Sequence, residues 1–398
     1  FTTRYKIDKA NLPAGRYRNI VGNYAATLGL IAAAEKSKLP LFYGSYPITP
    51  ASDILHHLSA LKHHNVKTFQ AEDEIAGMTS IIGAAFTGNL SVTASSGPGI
   101  ALKGEALGLA IIAELPMVII NVQRGGPSTG LPTKTEQSDL LQALYGRNGE
   151  APLPVIAAAT PGDCFYAAYE ACRIALKYMT PVILLTDGYL ANGSEPWAIP
   201  NLDDLEPIDV SFADTSSKVD GQFMPYLRNK ETLARPWAIP GTAGLEHRIG
   251  GLEKEDVTGN VNYDPENHHH MTLTRQQKVN NIVNDIPPTD IFGKSSGELL
   301  ILSWGGTMGA CRSAAEDLQD DGKSVSHVHL RWLNPLPKDL GEILIRFKNV
   351  LIPEINMGQL IKLIRAEYLV DAHGLNIVRG KPIGKGLIIE KINERLGS

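Results

Sequence analysis

The sequence is poor in cysteine. Its 398 residues include only three, Cys164, Cys172 and Cys311, and no two of them have the spacing of a CxxC motif. This pattern excludes a disulfide framework and supplies neither an iron–sulfur cluster nor a zinc site within the chain. Such cysteine usage is typical of a reducing compartment, and we therefore predict a cytoplasmic location.

The sequence also lacks an excess of positive charge and a long apolar run. Lys and Arg number 37 against 42 Asp and Glu, and no basic stripe is present to attract nucleic acid or anionic lipid. The apolar stretch at residues 110–122 is interrupted by Glu114 and Pro116 and is shorter than the roughly 20 residues that cross a bilayer. We expect neither nucleic acid nor a membrane among the partners.

Short β-prone runs alternate with helical patterns in two parts of the chain. This alternation predicts an α/β fold, in which a parallel sheet carries helices on both of its faces. The residues between these parts show little periodicity and are rich in Gly, Asn, Pro and His, as in an irregular connector. The predicted units are a linker or the end of an upstream domain at residues 1–18, a first domain at 19–205, a connector at 206–295 and a smaller α/β domain at 296–398.

Polar and glycine-rich segments follow four of the predicted strands. Ligands of parallel sheets bind beyond the carboxyl ends of the strands, where loops and helix N-termini meet. We therefore expect one edge of the sheet to be lined by residues 45–50, 71–74, 95–99 and 124–130.

Glu74 is the acidic residue most suited to proton chemistry. It begins a helix that is apolar around most of its circumference, so its carboxylate is expected to point into protein. Burial of an unpaired carboxylate costs several kcal/mol, and Glu74 therefore needs a hydrogen-bond partner. A buried structural acid remains the alternative. Glu72 and Asp73 are expected only to complement the helix dipole.

Arg124 and Thr49 are candidates for binding a carboxylate. Arg124 follows an apolar strand and precedes two glycines, so its guanidinium is expected at the pocket edge, where it can grip a carboxylate with two hydrogen bonds. An ion pair with a nearby acid is the alternative. Thr49 lies between Pro47 and Pro50, whose fixed φ angles hold it in place. The segment 95–99 runs into a helix and would let a cofactor approach closely, unless it is only a turn.

The histidines do not form a metal-binding pattern. One group lies at residues 56–64 and another at 268–270, and neither has an acidic residue at ligand spacing. We assign no metal ligand in this chain.

Five segments together resemble one known family. They are YPITP at residues 46–50, EDEIAG at 72–77, TASSG at 93–97, QRGGPSTGLPTKTEQSD at 123–139 and PEINMGQ at 353–359. In this order they resemble the alpha subunit of 2-oxoacid:ferredoxin oxidoreductases. The likeness is greatest to the 2-oxoglutarate branch, called 2-oxoglutarate synthase, and extends over nearly the whole chain.

The resemblance implies a thiamine-diphosphate-binding fold, with a pyrimidine domain followed by a domain like the carboxy-terminal domain of transketolase. It implies that Glu74 hydrogen-bonds N1′ of the aminopyrimidine, Thr49 positions the substrate and Arg124 binds its carboxylate. The predicted cofactor-binding residues also include Tyr46, Pro47, Ile48, Ser95 and Gly97, and the predicted substrate-binding residues also include Ser128, Thr129 and Lys134.

The implied activity is oxidative decarboxylation of 2-oxoglutarate to succinyl-CoA and CO2, with coenzyme A as substrate and ferredoxin as electron acceptor. The reverse direction would fix CO2. The GDG…N signature for Mg2+ and diphosphate is missing around Asp187. A beta subunit is therefore expected to carry Mg2+, the diphosphate site and a 4Fe-4S cluster, in a dimer of alpha–beta heterodimers. A gamma domain is expected upstream on the same polypeptide or as a separate chain.

Two other functions remain open at this point. The first is the beta-type chain of a 2-oxoacid dehydrogenase first component, which has the same domain plan but a lipoyl-domain partner. The second is a non-catalytic scaffold subunit that keeps the fold, with Glu74 as a structural acid.

Overall fold

The computed structural model describes Lys6, residues 9–10 and residues 12–397. Part of the predicted linker, residues 1–5, 7, 8 and 11, lies outside the described residues. The strands are β1 Tyr17–Val21, β2 Leu41–Ser45, β3 Val66–Gln70, β4 Leu90–Ser95, β5 Met117–Gln123, β6 Val155–Ala157, β7 Pro181–Asp187, β8 Ser194–Ala198, β9 Lys218–Val219, β10 Gln222–Phe223, β11 Ile291–Phe292, β12 Gly297–Trp304, β13 Val325–Leu330, β14 Trp332–Asn334, β15 Phe347–Glu354 and β16 Ala372–Asn376.

Helices connect most of these strands. They are α1 Gly22–Ser37, α2 Ser52–Ala60, α3 Glu74–Phe86, α4 Gly97–Leu102, α5 Gly104–Ala113, α6 Leu140–Tyr145, α7 Asp163–Tyr178, α8 Gly188–Asn192, α9 Pro265–Asn281, α10 Met308–Asp320, α11 Leu340–Leu344, α12 Gln359–Tyr368 and α13 Lys385–Leu396. Among the described residues, no helix is both long and apolar enough to cross a membrane.

The first sheet has seven strands in the order β14-β6-β7-β5-β4-β2-β3. All neighbours pair in parallel except β14, which is antiparallel to β6. Every residue of β5 and β7 is buried, as expected for central strands covered on both faces. Helices α1 and α7 lie on one face, and α3 and α5 pack on the other. The predicted parallel sheet with helices on both faces is confirmed.

The second sheet has five strands in the order β11-β13-β12-β15-β16. Helices α10 and α13 pack on one of its faces, and α12 packs on the other. The predicted domain boundary does not separate the two sheets completely. Strand β14 lies within the predicted second domain, yet it pairs with β6 at the edge of the first sheet. One apolar core contains residues of both sheets, including Ile183 and Leu302. The two predicted α/β domains are therefore joined through a common core.

The connector at residues 206–295 is more regular than the sequence predicts. It contains the 17-residue helix α9, whose buried residues are Met271, Arg275, Lys278 and Val279. Two of these four side chains are charged, so the helix lacks the apolar stripe by which an amphipathic helix is identified in sequence. The histidines at its start are exposed, and two of them pair with acids distant in sequence, His268 with Glu253 and His270 with Asp256.

A buried ionic cluster ties the connector to the end of α5. In this Glu114 cluster, the carboxylate of Glu114 accepts two hydrogen bonds from Arg228, at 2.5 and 2.6 Å, and a third from Lys278. All three side chains are at most 6% exposed. Although burial opposes ionisation, the charges of Lys278 and Arg228 hold the pKa of Glu114 well below its ordinary range.

We expect Glu114→Ala to lower the free energy of unfolding by about 3–5 kcal/mol, because it leaves the buried Lys278 without its anion and Arg228 with only its 3.5 Å ion pair to Asp256. Urea unfolding of the purified protein measures this loss. In the control Glu298→Ala, the lost partner is the exposed Lys348, and the change should stay below about 1 kcal/mol. Equal losses in the two variants would show that the Glu114 cluster does not stabilise the fold.

Candidate cofactor and substrate site

The carboxyl ends of β5, β4, β2 and β3 meet at one edge of the first sheet. These four strands are neighbours and run in parallel, so the loops that follow them come together. Two hydrogen bonds join the strand ends at this edge: Ala71 N–H donates to Ser45 O at 2.8 Å, and Ser45 Oγ donates to Ala94 O at 2.9 Å. The four polar segments identified in the sequence therefore follow strands that end at a shared edge.

Four residues at this sheet edge lie close together, and we call them the Glu74 cluster: Tyr46, Glu74, Ser95 and Gly99. The hydroxyls of Tyr46 and Ser95 are buried and lie 2.8 Å apart. Burial raises the pKa of Tyr46, and Glu74 raises it further, whereas the Ser95 hydrogen bond opposes this. A Cβ on Gly99 would lie 2.3 Å from the Tyr46 hydroxyl, 2.1 Å from Ser95 Oγ and 3.1 Å from Glu74 Cγ. Only glycine fits there.

Glu74 is the first residue of α3. The Asp73 carboxylate caps this helix by accepting the Ala76 N–H at 2.8 Å. Glu74 is only partly buried in this chain, and Ile75 beside it is 50% exposed, so the expectation that the Glu74 carboxylate points into protein stays a prediction. The apolar surface of α3 that the sequence shows is therefore only partly covered by the described residues.

Lys103 is a site residue that the sequence argument missed. Its side chain is 1% exposed, and its Nζ donates to the Glu74 carbonyl oxygen at 2.7 Å and to Thr93 Oγ1 at 3.5 Å. It lies 5.2 Å from the centroid of the Tyr46 ring. Burial lowers the pKa of Lys103 to about 8. The available signal was a lysine preceded by the apolar residues Ile100, Ala101 and Leu102.

Arg124 lies beside the Glu74 cluster. It is 7% exposed, its Nη1 donates to the Thr49 carbonyl oxygen at 2.6 Å, and its buried Nε has no partner. No ion pair to Arg124 is found within residues 12–397, so the simple alternative of a loop-base ion pair finds no support there. Thr49 holds the guanidinium through its backbone oxygen, and a donor of Arg124 stays available.

The remaining predicted site residues differ in their exposure and in their contacts. Ser128, Thr129 and Lys134 are exposed, and no hydrogen bond or ion pair in the described chain joins their side chains to Arg124. A Cβ on Gly97 would lie 2.8 Å from an Asp139 oxygen, so Gly97 faces Asp139. Pro47 is exposed and Ile48 is half-buried. The binding roles of these residues stay predictions.

Asp139 is a second acid that the sequence argument left without a role. Burial raises its pKa to about 6, and a hydrogen bond of 3.0 Å from Asn121 Nδ2 opposes this rise. The charge of Arg124 also acts on it. The residue closes the loop that begins at Arg124, and it places a second titratable carboxyl at the same sheet edge.

Gln137 anchors that loop to the second domain. Its side-chain Nε2 donates to Trp304 O at 2.6 Å, and its Oε1 accepts the Ile355 N–H at 3.2 Å. Asn356 Nδ2 donates to the Gln137 carbonyl oxygen at 2.8 Å. The segment PEINMGQ, which contributes to the family resemblance, therefore supports the loop that carries Arg124.

Comparison with known proteins identifies the family. Residues 34–264 match the thiamine-diphosphate-binding domain of pyruvate flavodoxin/ferredoxin oxidoreductases. The chain belongs to the 2-oxoacid:ferredoxin oxidoreductase family. It is 54% identical over 96% of its length to the 2-oxoglutarate oxidoreductase subunit KorA of Mycobacterium tuberculosis, and 34% identical over 86% to the 2-oxoglutarate synthase subunit KorA of Archaeoglobus fulgidus. The resemblance inferred from sequence is confirmed.

A solved structure shows the same fold. The chain superimposes on the 2-oxoglutarate:ferredoxin oxidoreductase of Magnetococcus marinus with a TM-score of 0.89 and 35% identity over 96% of its length. That protein has 2-oxoglutarate, coenzyme A and succinyl-CoA bound. The present chain covers 65% of the Magnetococcus chain, 57% of the Mycobacterium relative and 89% of the Archaeoglobus relative. The predicted thiamine-diphosphate-binding fold is confirmed.

The residues present fit a bound thiamine diphosphate. The Ser96 hydroxyl, beside Ser95 in the Glu74 cluster, is buried without a hydrogen-bond partner. Buried polar groups normally have partners, so an unpaired one at this edge is consistent with a ligand. Gly97 and Gly99 on either side of Pro98 let Asp139, Tyr46 and Ser95 approach the backbone closely, which keeps these polar side chains together at the same edge.

We expect Gly99→Ala to weaken binding of thiamine diphosphate by about tenfold or more, since overpacking of this kind costs about 1–3 kcal/mol. The added methyl group would displace Tyr46, Ser95 or Glu74. Fluorescence titration with the cofactor measures the affinity. The control is Gly83→Ala in α3, where a Cβ meets nothing within 4 Å. Unchanged affinity in Gly99→Ala would show that the Glu74 cluster does not contact the cofactor.

Proposed function

We propose that this chain is the alpha subunit of a thiamine-diphosphate-dependent 2-oxoglutarate:ferredoxin oxidoreductase. The reaction removes CO2 from 2-oxoglutarate, passes two electrons to ferredoxin and joins the succinyl group to coenzyme A; its reverse fixes CO2. One observation carries the proposal: Glu74 and Arg124 lie at one sheet edge, where Lys103 donates to the Glu74 carbonyl oxygen and the Arg124 guanidinium donates to the Thr49 carbonyl oxygen. The names of the relatives support the choice of substrate.

Glu74 acts on the cofactor in this proposal. Bound thiamine diphosphate supplies the electron sink that a 2-oxoacid needs in order to lose CO2. The Glu74 carboxylate would hold a proton together with N1′ of the aminopyrimidine. Tyr46 and Ser95, hydrogen-bonded to each other, fix the wall against which Glu74 packs. The backbone of the turn at Gly97 and the residues Pro47 and Ile48 would complete this half of the cofactor site.

Arg124 binds the substrate in this proposal. Its guanidinium is oriented by the Thr49 carbonyl and retains a donor that no protein group uses. A guanidinium can bind the carboxylate next to the reacting carbonyl through two parallel hydrogen bonds. Ser128, Thr129 and Lys134 lie on the exposed part of the same loop, and Lys134 would bind the second carboxylate of 2-oxoglutarate.

Partner chains complete the enzyme in this proposal. Glu74 is half-buried, and the large apolar residues Ile75 and Leu102 are at least 50% exposed, as in a surface that packs against another chain. We assign to a beta subunit the diphosphate site, Mg2+ and a 4Fe-4S cluster. The assembly is a dimer of alpha–beta heterodimers that reduces ferredoxin, with a gamma domain fused upstream or separate. The cytoplasmic location stays a prediction.

We expect Glu74→Gln to lower kcat by about 10²- to 10⁴-fold, because the amide cannot take part in proton transfer to N1′. The assay is anaerobic viologen reduction by the alpha–beta complex with 2-oxoglutarate and coenzyme A. The control is Glu72→Gln, which removes an exposed carboxylate two residues away and should leave kcat unchanged. Full activity of Glu74→Gln would favour the scaffold alternative.

We expect Arg124→Lys to raise KM for 2-oxoglutarate by about tenfold, because lysine cannot form two parallel hydrogen bonds to one carboxylate.

The wild-type complex should reduce dye with 2-oxoglutarate in preference to pyruvate and a branched 2-oxoacid. A preference for pyruvate would refute the proposed substrate. A lipoyl-domain partner in place of an iron–sulfur partner would instead indicate a 2-oxoacid dehydrogenase.

A further inference from the structure

Lys103 has an unusual environment for a lysine. Its ammonium is fully enclosed, and its two hydrogen-bond acceptors are the Glu74 carbonyl oxygen and Thr93 Oγ1. The ring of Tyr46 lies on another side of the ammonium. Within residues 12–397, no carboxylate forms an ion pair with Lys103. A cation is therefore held inside the protein with its nearest acidic groups beyond direct contact.

This arrangement is poor for stability. Removing an ammonium from water is costly, and two neutral acceptors and one aromatic face offset the loss only in part. The ammonium also binds the first turn of α3, and a cation near the N-terminus of a helix opposes the helix dipole. The favourable charge interactions are those with Glu74 and Asp73. The hydrogen bond from Lys103 to the Glu74 carbonyl oxygen explains the position of this lysine better than a contribution to stability does.

Lys103 also links the two halves of the Glu74 cluster. It stands at the junction of α4 and α5, where its own N–H donates to the Gly99 carbonyl oxygen at 3.1 Å. Its side chain crosses to α3 and reaches Glu74. A Cβ on Gly77 would lie 3.6 Å from Lys103 Nζ, which is an ordinary van der Waals distance. The ammonium therefore packs beside this turn of α3 without crowding.

We propose that Lys103 is a positioning residue for Glu74, which fixes the first turn of α3 through the Glu74 carbonyl oxygen and places a positive charge near the Glu74 side chain. This inference rests on the proposed function in one respect, since the charge of Lys103 can affect the reaction only if Glu74 contacts N1′ of the cofactor. Its mechanical part, the fixing of the turn, holds for the chain without any cofactor. The two parts are measured separately.

Lys254 provides a matched control. It is 2% exposed, its Nζ donates to the carbonyl oxygens of Gly250 and Leu252 at 2.9 Å each, and it lies 5.6 Å from the centroid of the Tyr226 ring. Burial lowers its pKa to about 8, as for Lys103. The two lysines thus share burial, acceptor type and aromatic neighbour, but Lys254 belongs to the connector.

The first experiment is hydrogen–deuterium exchange of the cofactor-free alpha–beta complex. In Lys103→Met, the peptide covering the start of α3 should exchange at least about threefold faster than in wild type, because the tie to the Glu74 carbonyl is lost. In Lys103→Arg and Lys254→Met, the same peptide should exchange at the wild-type rate. Equal rates in all four proteins would overturn the inference, whether or not the proposed function is correct.

The second experiment is the pH dependence of dye reduction. The groups that face Lys103 are Glu74, Asp73, Tyr46 and Thr93. Because burial lowers the pKa of Lys103 to about 8, the ammonium is present below that pH and is lost above it. Wild-type activity should therefore decline above about pH 8. Lys103→Arg keeps its charge and should move this decline upward by about one pH unit or more.

Affinity for thiamine diphosphate completes the test. Lys103→Met should bind the cofactor about tenfold more weakly than Lys254→Met, because it loses the hydrogen bond and the positive charge that hold Glu74 in place. Equal affinities, together with an alkaline decline that Lys103→Arg does not move, would overturn the electrostatic part. A wild-type complex that binds no cofactor would refute the proposed function, and the exchange experiment would then decide the inference alone.

Discussion

The parallel alignment of β5, β4, β2 and β3 is the constraint on which the candidate site depends. Four neighbouring strands that run in one direction end at one edge, and each must then turn back through a loop. The buried polar residues Ser45, Ser95 and Gln123 stand at the carboxyl ends of these strands. Tyr46, Glu74, Ser95 and Arg124 lie at or beyond the ends of four different strands, and they meet only because of this shared direction.

The second domain gives the loop at Arg124 its shape. The amide of Gln137 is buried and satisfied at both ends by backbone groups of the second sheet. An unsatisfied amide in such a place costs about 1–3 kcal/mol, which makes the loop and the second domain mutually dependent. The site is therefore formed by both domains, although the residues proposed to act on ligands lie in the first.

The sequence was informative wherever one face of an element was uniformly apolar or a strand was buried on both faces. The sequence pattern predicts strands at residues 117–123 and 325–330 and a helix at 163–178, and these limits agree with β5, β13 and α7 to the residue. The same reasoning missed α9, because half of its buried face is charged, and it missed β14, because a three-residue strand carries no periodic signal. Lys103 was missed for a related reason: its ammonium finds partners 10 and 29 residues away, and one sequence does not reveal such contacts.

Strand β14 has a dynamic consequence. It leaves the second sheet, pairs with β6 and is secured by Asn334 Nδ2, which donates to Leu153 O at 2.6 Å. Strand β14 thereby connects the two domains across their boundary. A hinge motion at this boundary would have to separate β14 from the seven-stranded sheet. Ligands therefore do not enter through a hinge opening between the two domains. Access to the Glu74 cluster therefore depends on the loops at the sheet edge and not on the angle between the two domains.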